Sequence, residues 1–414
     1  NDSYGFWKMK LSSNKIKLNF LFALVLFLVT SGSYLFIQKV YSLQFIQSDF
    51  FENQALSYRE RVEILEAKRG TIYDKNFNVL AGSVQSYNVA LKSNEIDDLG
   101  FVSVLSSLLD LDEVEILKKI TDNSKFFYLK RNVDFETGNK IKSWNFNGIH
   151  LEHSDKRNVY DSSTSNIIGF VDPDGNGIEG LELYFDTLLK GEDGELRYES
   201  APNGAIIPQG EIKTIQPKHG DDLILSIDSE LQYLTENLCL DALNDTQAFM
   251  CSVVFANAVT GEILISAEES SANNDYFNID LISARANYEP GSALKIFTIG
   301  SLIESGDINE NDVYLVEDKI EIIDGSCKDD FEGYKGCFRD FLKHDPINLS
   351  VKEIIERSSN VGTVKIVNAG NINEVEIFLK KFGFGSKTGV ELSGESKGSF
   401  TEYKTCKTCL SSLS

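Results

Sequence analysis

The sequence predicts an α+β protein carried on one N-terminal membrane helix, and three observations lead there. Leu18 to Gln38 is a 21-residue run with no charged side chain. From Arg69 to about Pro217 short apolar runs alternate with Gly, Asn and Asp turn signals, the pattern of an α+β module of modest strands. Beyond Gly220 the order becomes strand, helix, hairpin and buried helix, which implies a sheet with helices packed on it.

Taken in order, the apolar run is preceded by Lys8, Lys10, Lys15 and Lys17. At 1.5 Å per residue it reaches about 30 Å, the thickness of a bilayer core. A cleaved signal peptide has a shorter apolar core and a small-residue cleavage site. Here Tyr34-Leu35-Phe36-Ile37 leads straight into Lys39, so an uncleaved anchor is expected, with the N-terminus cytoplasmic by its basic residues. Met9 is the only methionine before the run, and residues 1–8 read as upstream translated sequence. Phe50 to Lys68 is expected to be a charged, helix-compatible stalk. The densest glycine cluster, Gly169 to Gly194, has neither P-loop nor dinucleotide spacing and reads as turns joining strands. After a boundary near Gly220, a strand is expected over Leu223–Ile227, then a helix with Leu231, Leu234, Leu238 and Ala242 on its apolar face. Phe249–Ala256 and Glu262–Ala267 read as two strands joined at Thr260-Gly261. The expected organisation is a tail (1–17), a membrane helix (18–38), a membrane-proximal module (39–220) and a second domain (221–414) with an atypical tail from about 401.

Composition narrows the function. With 42% hydrophobic and 25% charged residues, the 414-residue chain has ordinary globular composition. A net charge of −23 argues against nucleic acid as a partner. Of the six cysteines, Cys327 and Cys337 sit in a charged, loop-like stretch suited to pairing in an oxidising compartment, whereas Cys239 and Cys251 fall in apolar patterns and read as core. Cys406 and Cys409 form one C-x-x-C without partner ligands, so no metal and no cofactor is assigned.

Chemistry concentrates in Glu289-Pro290-Gly291-Ser292-Ala293-Leu294-Lys295. Pro290 and Gly291 break the chain and place Ser292 at a helix start, where free N–H groups can stabilise an oxyanion. From Ala293 to Ile303 only Lys295, Thr298 and Ser301 are polar, so a buried helix is expected. Ser292 and Lys295 at i and i+3 share a face, which lets the amine reach the hydroxyl. Burial lowers the pKa of a lysine, and a neutral amine beside a hydroxyl makes a serine nucleophilic. Ser350 to Glu353 fits a capping box opening a second helix to about Arg357. This helix stops at Ser358-Ser359-Asn360 and restarts at Val361. In that corner Ser358 and Asn360 can point into one cleft, a hydroxyl to relay a proton and an amide to hold a carbonyl.

S-x-x-K followed by S-x-N resembles the penicillin-binding protein and serine β-lactamase superfamily. The basic tail and anchor, RGTIYD, IIGF with the glycine cluster, and LSIDSELQ resemble its class B branch. YEPGSALK, SSNVGTVKI and FGFGSKTGVELSGE resemble the septal, division-type peptidoglycan D,D-transpeptidases. The resemblance implies a membrane-proximal pedestal of the dimerisation type below a transpeptidase domain. It implies Ser292 as the acylated nucleophile, Lys295 as general base, Ser358 as proton relay and Asn360 as the residue orienting substrate and lysine. The implied partners are D-Ala-D-Ala stem peptides, β-lactams, the membrane and division-complex proteins, including the septal glycan polymerase. The implied location is the bacterial inner membrane, single-pass, with the catalytic domain periplasmic.

Lys387-Thr388-Gly389 spells the superfamily's third motif but falls in a stretch resembling a different family segment, F-G-x-G-x-x-T-G-x-x-L-x-G-E. The catalytic K-T-G belongs further on, on a strand bordering the cleft. After Phe400 the chain reads TEYKTCKTCLSSLS, unlike the family's continuation. The domain is therefore expected to be C-terminally truncated and the chain inactive for want of that strand. An elongation-type class B relative and a non-enzymatic recruiting role for residues 1–220 are the competing readings; the compact spacing from Arg69 to Ser292 favours the septal type.

Overall fold

The computed structural model describes residues 3–122, 125–201, 205–208, 210, 212–270, 281–322, 326, 327 and 336–399. The tail from 401, with Cys406 and Cys409, lies outside them. The chain divides into two compact units, Asn1–Ala67 with Gly191–His219, and Lys68–Lys190 with Gly220–Ser414.

In the first unit a helix runs over Ser3–Tyr41. Leu18–Ile46 is long and apolar enough to cross a membrane, with a mean hydropathy of 2.3. A second helix covers Ser48–Arg59, and Glu60–Leu65 is a strand rather than the end of a helical stalk. Its partner explains the difference. Glu60–Leu65 pairs antiparallel along its whole length with Gly194–Glu199, which also pairs with Ile212–Ile215. A strand fixed by a segment so distant in sequence leaves no local signature.

The second unit opens on a mixed sheet. Val79–Leu91, a long strand, pairs with Phe127–Asp134, with Ile149–Val159 and with Ile72–Tyr73. Helices Val102–Leu109, Glu113–Thr121 and Phe135–Trp144 belong to the same layered module. Val89, Leu91, Phe101, Leu105, Ile116 and Ile141 belong to its buried core. Gly138 has no alternative there, because a Cβ at that position would stand 2.1 Å from the Tyr87 ring. The strand expected at Leu223–Ile227 is confined to Leu223–Ile224 and pairs in parallel with Ile72–Tyr73. It thus completes this sheet instead of opening the next one.

The glycine cluster begins as a turn at Asp172–Gly175 closed by a bridge between Val171 and Gly177, and continues as the short helices Gly180–Tyr184 and Asp186–Leu189 rather than as strands. Gly169 adopts φ +77°, and a Cβ there would lie 2.0 Å from the Glu179 carbonyl. This close packing surrounds Glu182, fully buried between two arginines. Arg69 Nε donates to its Oε2 and Arg157 Nε to its Oε1, both at 2.6 Å. Removing one partner of such a triad leaves an uncompensated buried charge, at a cost of about 3–5 kcal/mol.

The Ser229–Thr246 helix lies against the antiparallel hairpin of Met250–Ala256 and Ile263–Ser270. Its inward face is Gln232, Cys239 and Leu243; Leu231, Leu234 and Leu238, expected to face the core, are exposed. Two side chains set that rotation. Gln232 Nε2 donates to the Ser266 and Ser163 carbonyls, and Cys239 is disulfide-bonded to Cys251. The two cysteines expected as core thiols are therefore a cross-link, and Cys327–Cys337 is a second. The last core gathers Leu294, Ile299 and Leu302 with Val351, Ile354, Val361, Val364 and Leu379.

Candidate active site

Three adjoining segments build the site. The first is a break in the backbone. Gly291 takes φ +57°, a left-handed conformation that favours glycine, and starts the 3-10 turn Gly291–Leu294 that feeds the Lys295–Glu304 helix. Ser292 sits in that first turn with its side chain exposed, and among the described residues no group bonds its hydroxyl. The helix itself is half-wrapped rather than buried all round: Ile296 is 65% exposed, while Lys295, Thr298, Ile299 and Leu302 face inward.

Lys295 is buried to 2% relative exposure, which a lysine tolerates only with partners. It has three. Nζ donates to the Ser358 carbonyl at 2.7 Å, to Ser358 Oγ at 3.3 Å and to Asn360 Oδ1 at 2.5 Å. These acceptors match the three donors of an ammonium, and the expected bond to Ser292 is not made. The lysine thus faces the Ser358–Asn360 corner while standing one turn from Ser292. Burial lowers its pKa from an ordinary 10.5 to about 8, against the opposing pull of the Asp340 charge.

The second segment is the corner. Ser350 and Glu353 make the expected capping box, and the helix they open covers Val351–Glu356. Ser358 then takes φ +54°. The N–H groups of Ser358 and Ser359 bond the carbonyls of Ile355 and Ile354, as residues closing a helix do. Glycine usually occupies such a position; a left-handed residue with a side chain costs about 1–2 kcal/mol. Ser358 is exposed at this bend, and its carbonyl meets Lys295. Buried Ser359 caps the Asn360–Ala369 helix, its Oγ accepting from Gly362 N. Gly362 lets the two helices close on each other, because a Cβ there would lie 2.8 Å from Ile354. Ser358 and Asn360 are thus brought together on Lys295.

The third segment was not legible in the sequence. The strand Cys337–Arg339 runs beside the corner and ends at Asp340. Arg339 presents its carbonyl to Asn360 Nδ2 at 2.8 Å, and the Asp340 carboxylate accepts from Ser359 Oγ and Val361 N. Lys387-Thr388-Gly389 is not a strand and is engaged elsewhere. Thr388 donates both its N–H and its hydroxyl to Glu395 Oε1 at 2.6 Å, and Gly389 N donates to Oε2 at 3.3 Å. The Thr388 hydroxyl, chiefly, holds the Glu395 carboxyl below its usual range.

An exposed serine, a lysine of lowered pKa one turn on, and a hydroxyl and amide converging on that lysine are the parts of serine acyl transfer without histidine. The penicillin-binding protein dimerisation domain matches residues 64–225, and the penicillin-binding protein transpeptidase domain matches residues 251–413. The second match passes Phe400, where the family resemblance was expected to stop. The chain is 28% identical to the peptidoglycan D,D-transpeptidase FtsI of Escherichia coli (strain K12) over 87% of its own length and 61% of that protein. It is 26% identical to stage V sporulation protein D of Bacillus subtilis (strain 168), over 86% of this chain and 55% of that one. Penicillin-binding protein PbpB of Mycobacterium tuberculosis is 28% identical, over 69% of this chain and 42% of that protein. The chain therefore spans between two fifths and three fifths of these relatives' length. Among solved structures, the complex between penicillin-binding protein PBP2 and MreC from Helicobacter pylori superposes with a TM-score of 0.65 at 22% identity, over 81% of this chain and 68% of that one. The two domain matches together take in well over half of the chain, and the chain belongs to the class B penicillin-binding proteins.

Proposed function

We propose that this protein is a septal peptidoglycan D,D-transpeptidase working through a serine acyl-enzyme. The observation that supports it best is the Lys295 ammonium, buried, lowered to about pKa 8 and gripped by Ser358 and Asn360. In the reading this supports, neutral Lys295 takes the Ser292 proton as Oγ attacks the penultimate D-Ala carbonyl. Ser358 passes a proton to the departing D-Ala amine, and Asn360 orients the stem peptide and the lysine. A second stem-peptide amine then attacks the ester, forming the cross-link and restoring Ser292. β-Lactams acylate the same oxygen. The domain division at about Gly220, the anchor with its N-terminus inside, and division-complex partners including the septal glycan polymerase belong to the same proposal.

Among the described residues no K-T-G borders Ser292, since that triplet holds Glu395. We infer that acylation by the described residues is slow, because losing one oxyanion donor costs about 10²–10³ in rate. Single-turnover acylation remains readable over hours. Fluorescent penicillin is expected to label membranes carrying the full chain slowly, and Ser292→Ala to abolish the label. Equal labelling of the Ser292→Ala chain would sink the acyl-enzyme reading; no labelling of either would favour a recruiting role without chemistry.

A further inference from the structure

We propose that Asp340 is a positioning residue for acylation, fixing the Ser358-Ser359-Asn360 corner and thereby the side chain of Lys295. The proposal rests on the acyl-transfer reading above. Asp340 touches neither Ser292 nor a substrate position; it works through the corner. Its Oδ2 accepts from Ser359 Oγ at 2.8 Å and its Oδ1 from Val361 N at 3.0 Å, so one carboxylate grips residues on both sides of Asn360. The preceding residue completes the clamp, because the Arg339 carbonyl takes Asn360 Nδ2 at 2.8 Å. That bond leaves Asn360 Oδ1 turned to Lys295. An amide cannot present its oxygen in two directions, so holding the nitrogen decides what the lysine meets.

The clamp is anchored in turn. Asp340 N donates to the Asp318 carbonyl, the strand Cys337–Arg339 pairs with Lys319–Glu321, and Cys337 is bonded to Cys327. Asp340 is also placed to matter electrostatically. Its side chain is 9% exposed, where a charge is weakly screened. The charged groups around it are Lys295, whose ammonium it favours, and His344, whose Nε2 lies 3.1 Å from Oδ2. His344 is itself held above the usual imidazole range, first by the Asp345 carbonyl and then by Asp340, with Asp318 adding to it. A carboxylate that only filled space would leave both the corner's amides and the lysine indifferent to its charge.

The test uses the purified full chain in detergent, with Asp340→Asn, Asp340→Ala and Ser292→Ala. Hydrogen–deuterium exchange reads the corner, and the pH dependence of penicillin labelling reads Lys295. Asp340→Ala is expected to speed exchange of the Val361 and Gly362 amides at least about tenfold while amides of the Val79–Leu91 strand stay protected. Asp340→Asn, which keeps one acceptor but no charge, is expected to move the labelling midpoint to lower pH, because the charge favouring the ammonium is gone. Unchanged exchange at Val361 in Asp340→Ala, or an unmoved midpoint in Asp340→Asn, would overturn the proposal. The acyl-transfer reading fails separately, through labelling that survives Ser292→Ala or never occurs. In that case the exchange measurement alone decides whether Asp340 holds the corner.

Discussion

Replacing Lys295 by arginine separates proton chemistry from packing. The two side chains have similar stems and both carry a charge the Ser358 carbonyl and Asn360 can accept, but arginine keeps its proton above about pH 12. The structure gives the size of the effect. With its pKa at about 8, Lys295 is neutral in about one molecule in ten at pH 7, against about one in 3,000 for an ordinary lysine. Burial therefore enriches the basic form about 300-fold. Acylation should climb about tenfold per pH unit from 5 to 7 and level off above about 8. The same shift sets a stability trend. The folded pKa lies below the unfolded one, so between about pH 8 and 10.5 the unfolded chain binds more protons and stability rises with pH. Below pH 8 the penalty is fully present, about 3 kcal/mol. In Lys295→Arg the neutral fraction at pH 7 is below about 10⁻⁵, a loss of about 10⁴-fold from the base alone. Fluorescent penicillin labelling of purified full chain, followed over hours from pH 5 to 9, with a melting curve for each variant, measures both. Labelling of Lys295→Arg within tenfold of the parent, or a parent rate flat across that range, would refute the base assignment.

Three further outcomes follow from particular contacts. Ser358→Gly and Ser358→Ala should both lose acylation, but the glycine variant should be more stable by about 1 kcal/mol, because only it relieves the left-handed backbone; equal denaturation midpoints would show that no strain resides there. Lys387→Ala should leave penicillin labelling unchanged, since its triplet grips Glu395, and a loss of labelling would make that triplet the working third motif. A periplasm-dependent reporter fused after Gly220 should be active and one fused at Lys10 silent, as the basic tail and two disulfides require; the reverse pattern would overturn the orientation.

How much of this was legible in the sequence follows the range of each force. The apolar N-terminal helix, the hairpin and the capping box depend on residues within a few positions of one another, and the structure has all three. The stalk failed at Glu60 because its partner strand lies beyond residue 190. The face of the Ser229–Thr246 helix failed for a different reason. Periodicity weighs apolarity alone, whereas a buried Gln232 with three backbone bonds and a disulfide at Cys239 outweigh three leucines. Polar groups satisfied inside a fold resemble surface residues when read one by one.

At the site, the sequence offered residue types and order but not who holds whom. Ser292 and Lys295 share a helix face, which suggested a bond between them, yet a lysine with three donors binds wherever three acceptors converge. They converge at Ser358 and Asn360. Asp340 escaped because it belongs to no spaced motif; the signs available were a Cys337 closing a loop and a lone acid just after it. Lys387-Thr388-Gly389 teaches the converse. Its lysine, hydroxyl and N–H groups suit a carboxylate, and a carboxylate is what Thr388 and Gly389 hold, seven residues away at Glu395. A motif records an affinity, and only the fold decides which partner satisfies it.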